Sequence, residues 1–177
     1  MCRIIEELNK INTGRYFNHM PILVQTLKRL LMLFCSLPKH MSDEEKESIR
    51  KAFSSRLLFS YLPLDGKVVE QFSRTLESIS RLAKSGPDTH IKHRKDTLGR
   101  YVIHIIAEYV SLWSGSSYCI ISGEIKDKLF PGICALMDLC DRYQYDMLIA
   151  NLDRKGKAAF QTVNEQYTER HKFKGKV

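Results

Sequence analysis

Polar residues are sparse between Pro21 and Leu37, and those present gather on one side of a helical projection. Gln25, Lys28, Arg29 and Ser36 form a narrow stripe completed by Met32. Ile22, Leu23, Val24, Leu27, Leu30, Leu31, Leu33, Phe34 and Leu37 cover most of the remaining circumference. A helix that is apolar on most sides has neighbours on most sides. The pattern therefore predicts a helix near the middle of a helical body, with Leu27, Leu30, Leu31 and Phe34 in its core.

The same periodicity recurs along the chain. Residues 3–12 carry Ile4, Ile5, Leu8 and Ile11 on one side and end at Asn12-Thr13-Gly14. Pro21 suits a first helical turn, Pro38 stops the apolar helix, and Ser42 with Glu45 three residues on forms a capping box for a helix over 43–62. Asp43, Glu44 and Glu45 in its first turn complement the helix dipole. After Pro63, Val68, Val69, Phe72, Leu76, Ile79 and Ala83 share a face, while Glu70 with Arg74 and Glu77 with Arg81 pair at i,i+4 on an outer side. Residues 84–96, KSGPDTHIKHRKD, read as a mobile basic surface loop broken at Gly86-Pro87.

From Thr97 to Trp113, Leu98, Tyr101, Val102, Ile105, Ile106, Tyr109, Val110 and Trp113 keep the i, i+3, i+4, i+7 pattern. Ser122 caps the next segment, where Ile125, Leu129, Ile133, Leu136, Met137 and Cys140 lie on one side and Pro131-Gly132 predicts a kink or two short helices. Helix continues from Asp141 to Leu152. Asp153 then caps a last helix that buries Ala159, Phe160, Val163 and Tyr167, and 172–177 form a basic tail. No segment alternates like a strand. The expected fold is all-α, about seven antiparallel helices in one domain over 1–177, with armadillo-like or HEAT-like solenoid packing as an extension of that picture. No repeat period names a repeat family.

Composition narrows the function classes. A chain of 177 residues buries roughly 70% of the surface its unfolded form exposes, so one core suffices without metal or disulfide staples. Cys2, Cys35, Cys119, Cys134 and Cys140 contain no CxxC pair and fit a reducing compartment. Lys28 and Arg29 in one apolar run, and His104 and Glu108 in another, exclude lipid-facing spans. His90 and His93 have a metal-like spacing but lack a set of further ligands, and His104 beside Glu108 has no nucleophile to serve, so both read as solvated surface. There is no phosphate-binding glycine loop and no GxSxG. Neither an enzyme nor a cofactor or small-molecule substrate is expected.

Charge is unevenly placed. Residues 154–177 hold seven Lys or Arg against Glu165 and Glu169, net +5 of the chain's +8, whereas 101–153 hold three basic against seven acidic residues, net −4. An acidic body with a basic end suits electrostatic docking to an anionic partner, through Lys92, Arg94 and Lys95 in the loop and Arg154, Lys155, Lys157, Arg170, Lys172, Lys174 and Lys176 toward the C-terminus. Phe72, Ile105, Trp113, Phe160 and Tyr167 complete the expected core.

One resemblance sharpens the reading. Leu152, Asp153, Gly156, Lys157, Phe160, Tyr167, His171, Lys172, Phe173, Gly175, Lys176 and Val177, with Phe130, Pro131, Gly132 and Ala135-Leu136-Met137-Asp138 upstream, resemble the C-terminal domain of the Urb/Npa family, unhealthy ribosome biogenesis protein two or nucleolar preribosomal-associated proteins. The likeness is close over about the last 50 positions and mainly one of helical pattern before them. It implies a non-catalytic scaffold of early pre-60S particles in the nucleolus, supporting pre-rRNA processing alongside pre-ribosomal assembly factors. Because members are very long, it also implies a fragment, a truncated gene model or a shortened relative. The alternative from another class is a self-sufficient RNA-binding helical module that uses the basic loop and tail.

Overall fold

The computed structural model describes residues 19–36, 42–54, 66–84, 88–115 and 120–173. Seven helices account for most of them: α1 (Met20–Met32), α2 (Asp43–Ser54), α3 (Gly66–Lys84), α4 (Asp88–Trp113), α5 (Gly123–Met137), α6 (Arg142–Asn151) and α7 (Arg154–Phe173). Among the described residues no strand forms. A lone antiparallel bridge joins Ser36 and Ile120, each amide donating to the other's carbonyl at 2.9 Å. The fold is all-α.

The helix boundaries have local causes. Ser42 and Glu45 form the expected capping box of α2, with Ser42 N–H donating to Glu45 Oε2 at 2.9 Å and Glu45 N–H to Ser42 Oγ at 3.2 Å. Ser122 Oγ accepts Ile125 N–H at the start of α5. A second capping box, Asp141 with Gln144, separates α6 from α5. Asp153 Oδ1 accepts Gly156 N–H at 2.7 Å where α7 begins. At the exit of α4, Gly115 has φ +74°, a left-handed conformation that glycine adopts without a Cβ clash.

The helix at the centre is α4, not α1. It touches α1, α3, α5, α6 and α7, and Leu98, Val102, Ile105, Ile106, Tyr109 and Val110 are all fully buried. α1 lies against it as an outer element: Val24, Leu27, Leu31 and the following Phe34 are buried, whereas Ile22 is 69% exposed and Leu30 is half-buried. Its apolar excess therefore does not place it in the middle, since one face suffices to dock it. Lys28 on its flank pairs with Glu108 of α4 at 3.0 Å. Trp113 and Tyr167, expected in the core, are half-buried. Trp113 is a large ring at a helix end, and Tyr167 keeps its hydroxyl in a polar contact. Phe72, Ile105 and Phe160 are buried as expected.

Residues 88–96 are not loop. They form the first turns of α4, and Ile91 and Arg94, half-buried, extend its inward stripe below Leu98. Polarity misled the reading, because Asp88–Asp96 contains no glycine or proline and the stem of an arginine can occupy an inward position. Expectations for 3–12, for Leu57–Leu62, for the break at Gly86-Pro87 and for the last four residues lie outside the described residues.

Contacts fix the course of the chain. Lys128 meets Glu70 at 3.8 Å, Gly132 meets Ser73, and Lys84 meets Asp138 at 3.4 Å, so α3 and α5 run parallel, side by side. Tyr109 reaches Lys126 while Gly99 abuts Leu139 and Gln144, so α4 is antiparallel to α5 and hence to α3. Successive antiparallel helices, as expected, bring the alternate ones together.

Pro131 does not split α5, which continues through it to Met137. Proline removes one rung of the ladder and crowds the carbonyl a turn earlier. Ser73 enters the loosened turn: its Oγ accepts Gly132 N–H at 2.9 Å, and its hydroxyl donates to Leu129 O at 3.4 Å. A Cβ on Gly132 would lie 2.6 Å from Ser73 O and 2.9 Å from Ser73 Oγ. Gly132→Ala is accordingly expected to force the α3–α5 seam apart and to cost about 1–3 kcal/mol, the range for overpacking a tight core. Chemical denaturation of the two proteins checks it; equal stability would show that the seam yields freely.

Candidate functional site

The basic side chains expected to dock, where described, lie on α4 and at both ends of α7. Lys92 and Lys95 are exposed on the first turns of α4, but Arg94 between them turns inward, with Nε and Nη2 covered and without a hydrogen-bond partner among the described residues. Arg154, Lys155 and Lys157 are exposed on the first turn of α7. Arg170, sixteen residues further along α7, is half-buried with its guanidinium 6.0 Å from the centre of the Phe130 ring. At 1.5 Å per residue, Arg154 and Arg170 stand about 24 Å apart along the axis, near opposite ends of one helix. Lys172 continues the helical backbone, and Lys174 and Lys176 lie outside the described residues.

A polar node ties the C-terminal ends of three helices. Asp138, the C-cap residue of α5, receives Tyr167 OH at 2.9 Å and His171 Nε2 at 3.0 Å on Oδ1, and Lys84 Nζ at 3.4 Å on Oδ2. Tyr167 and His171, one turn apart on α7, hold their rings 4.3 Å from each other. Next to the node, Tyr145 OH donates to Met137 O at 2.7 Å. The Tyr167 hydroxyl is pushed well above the usual phenol range, first by burial and then by Asp138. Burial likewise raises Tyr145, and it pushes the Cys140 thiol up to about 12, with Asp141 adding to it and Lys95 opposing it. A thiol held protonated at neutral pH is a poor nucleophile.

A second tie closes the far end of α4. Lys126 Nζ donates to Trp113 O at 3.3 Å and sits 4.4 Å from the centre of the Trp113 ring, which meets Tyr109 edge-on at 5.6 Å. Partial burial lowers the Lys126 pKa. In both ties the ionisable groups spend their hydrogen bonds on other helices. The sequence pairs neither set, because Lys84, Asp138 and His171 are brought together from three helices, and the resemblance that marks Asp138 and His171 does not say that they meet. His104, expected beside Glu108 on a solvated side, is exposed, while Glu108 engages Lys28. No group of His, Cys, Asp and Glu suited to a metal forms among the described residues, and no helix there is long and apolar enough to cross a membrane.

The model of one family, described as the Urb2/Npa2 family, matches residues 1–176. The chain belongs to the Urb2/Npa2 family. The match takes in nearly the whole chain, beyond the last 50 residues where the likeness is close to the eye. Urb2/Npa2 membership implies a role in ribosome biogenesis, with the ribosome assembly machinery and in the nucleus or nucleolus. No curated protein and no solved structure matches this Urb2/Npa2 chain.

Proposed function

We propose that this chain is a non-catalytic scaffold domain of early pre-60S particles, working in the nucleolus through contacts with pre-ribosomal assembly factors. The observation that carries the reading is the Urb2/Npa2 family match over residues 1–176, and the Asp138 node bears on its non-catalytic part. The grouping of acid, histidine, tyrosine and lysine that would be the first candidate for catalysis is engaged in joining α3, α5 and α7. A general base needs a lone pair aimed at a substrate proton. Here Tyr167, His171 and Lys84, from two other helices, already contact the carboxylate, and the contacts serve as a tie between α3, α5 and α7.

A second reading, direct binding of pre-rRNA, is favoured by one observation. Arg154, Lys155 and Lys157 are exposed and have no ion-pair partner among the described residues. Affinity purification with and without nuclease separates the two. Assembly factors are expected to remain bound after the RNA is digested. Complete loss of partners on digestion would replace the scaffold with an RNA tether. In that case the affinity for single-stranded RNA falls with salt by a slope of about 0.7 per phosphate contacted.

A further inference from the structure

The outer face of α6 is left uncovered by the packing that explains the rest of the molecule. Tyr143 is 70% exposed and Met147 48%, and they stand one turn apart, with exposed Ala150 continuing the line and Ile149, 39% exposed, at its edge. Only the opposite side is held: Gln144 and Leu148 are buried, and Tyr145 is tied to Met137. The Asp141–Gln144 capping box and the fit of the Gln144 amide against Gly99 fix the start of the helix. The stripe is therefore displayed on an anchored element, which lowers the ordering cost of binding to it.

Cations frame the stripe at both ends. Arg142 adjoins Tyr143, and Arg154, Lys155 and Lys157 follow the end of α6 after two residues. Four residues of chain reach at most about 14 Å, so Arg154 stays close to Ala150. These four cations are exposed and have no ion-pair partner among the described residues. The nearby carboxylates of Asp141 and Asp153 accept backbone N–H groups at their helix caps and exposed Asp146 lies on the outer face of α6, so three carboxylates stand near these four cations and the balance is positive.

We propose that this face docks an acidic amphipathic segment of a partner protein, about three helical turns long, with apolar anchors over Tyr143 and Met147 and carboxylates toward Arg142 and the first turn of α7. The length follows from the roughly 15 Å of a ten-residue helix. Charge selects this occupant over a second copy of the chain, whose own face would bring the same cations into opposition. The stripe favours it over RNA, because beyond Tyr143 the line of Met147, Ala150 and Ile149 offers no second ring on which successive bases stack. The inference rests on the scaffold reading and names the partner chemistry for it.

Photocrosslinking on the full chain tests it. A benzophenone side chain incorporated at Met147, with Gln161 of α7 as the exposed control position, is expected to capture a partner peptide rich in Asp and Glu after nuclease treatment. The double variant Tyr143→Ser, Met147→Ser is expected to reduce recovery of that partner at least ten-fold with an unchanged melting temperature. The triple variant Arg154→Glu, Lys155→Glu, Lys157→Glu is expected to do the same. Crosslinks at Met147 to RNA, to a neutral or basic segment, or no more than at Gln161 overturn the proposal. If partners persist after nuclease in the wild type and are undiminished in both variants, this face is excluded while the scaffold reading stands. If the wild type itself loses its partners to nuclease, the scaffold reading falls, and this inference with it.

Discussion

Phe72→Ala is expected to lower the unfolding free energy by about 3–5 kcal/mol, the range for emptying a buried phenylalanine site. Phe72 is 1% exposed on the inward face of α3 and meets Phe34 with ring centres 5.2 Å apart and planes at 60°. Phe34 follows the last turn of α1 and is itself buried, so the pair joins α1 to α3. Truncation removes the transfer energy of the ring and leaves a cavity. It also removes an aromatic contact that contributes about 0.5–1.5 kcal/mol beyond area. Leu30→Ala on the same outer helix should cost less, because Leu30 is only half-buried. Urea denaturation of both variants measures the difference. A loss under about 1 kcal/mol for Phe72→Ala, or a larger one for Leu30→Ala, would show that α1 docks by another face.

The helices themselves were legible from periodicity, because burial on one face leaves a 3.6-residue record wherever a helix packs. Caps were equally legible at Ser42, Ser122 and Asp153, since a cap is a contact within three residues. What misled was the reading of residues whose role depends on distant partners. Hydrophobicity alone puts the apolar helix at Pro21 in the centre, yet Ile22 is largely exposed, and α4 takes the central place through its length and its contacts with five other helices. Residues 88–96 resemble a loop by polarity, but they are free of helix breakers and form the first turns of α4.

The candidate site was legible only in part. Exposure of Arg154, Lys155 and Lys157 follows from their charge, and any reading of the sequence finds them. Arg94 groups with them by composition, but its place on the inward stripe of α4 leaves it half-buried, with Nε and Nη2 covered. The Asp138 node is not legible as a node: Asp138, Tyr167 and His171 are among the residues that carry the family resemblance, but the members are separated by up to 87 positions, from Lys84 to His171, and nothing local joins them. Ser73 and Gly132 are a similar case. A proline-glycine pair marks a weak point in a helix, but nothing local says that a serine from a parallel neighbour fills it.

The two sides of α7 are expected to fail in different ways. Phe160 is 5% exposed, lies between the buried Ala159 and Val163 on the inward face, and has its ring 5.8 Å from that of Tyr145. Phe160→Ala should therefore cost about 3–5 kcal/mol and loosen the contact of α7 with the start of α6. Arg154, Lys155 and Lys157 on the same helix are exposed and sit at its N-terminal end, where the helix dipole is positive and cations are the less favourable charge. Converting the three to glutamate should leave stability within about 0.5 kcal/mol, or raise it slightly, because acidic side chains suit that position. Denaturation of the two variants beside a measurement of partner recovery distinguishes the roles. Phe160→Ala should lose partners only in proportion to the protein that unfolds, whereas the glutamate variant should lose them while fully folded. A glutamate variant as unstable as Phe160→Ala would make these cations structural, and the first turn of α7 would then no longer serve as a docking surface.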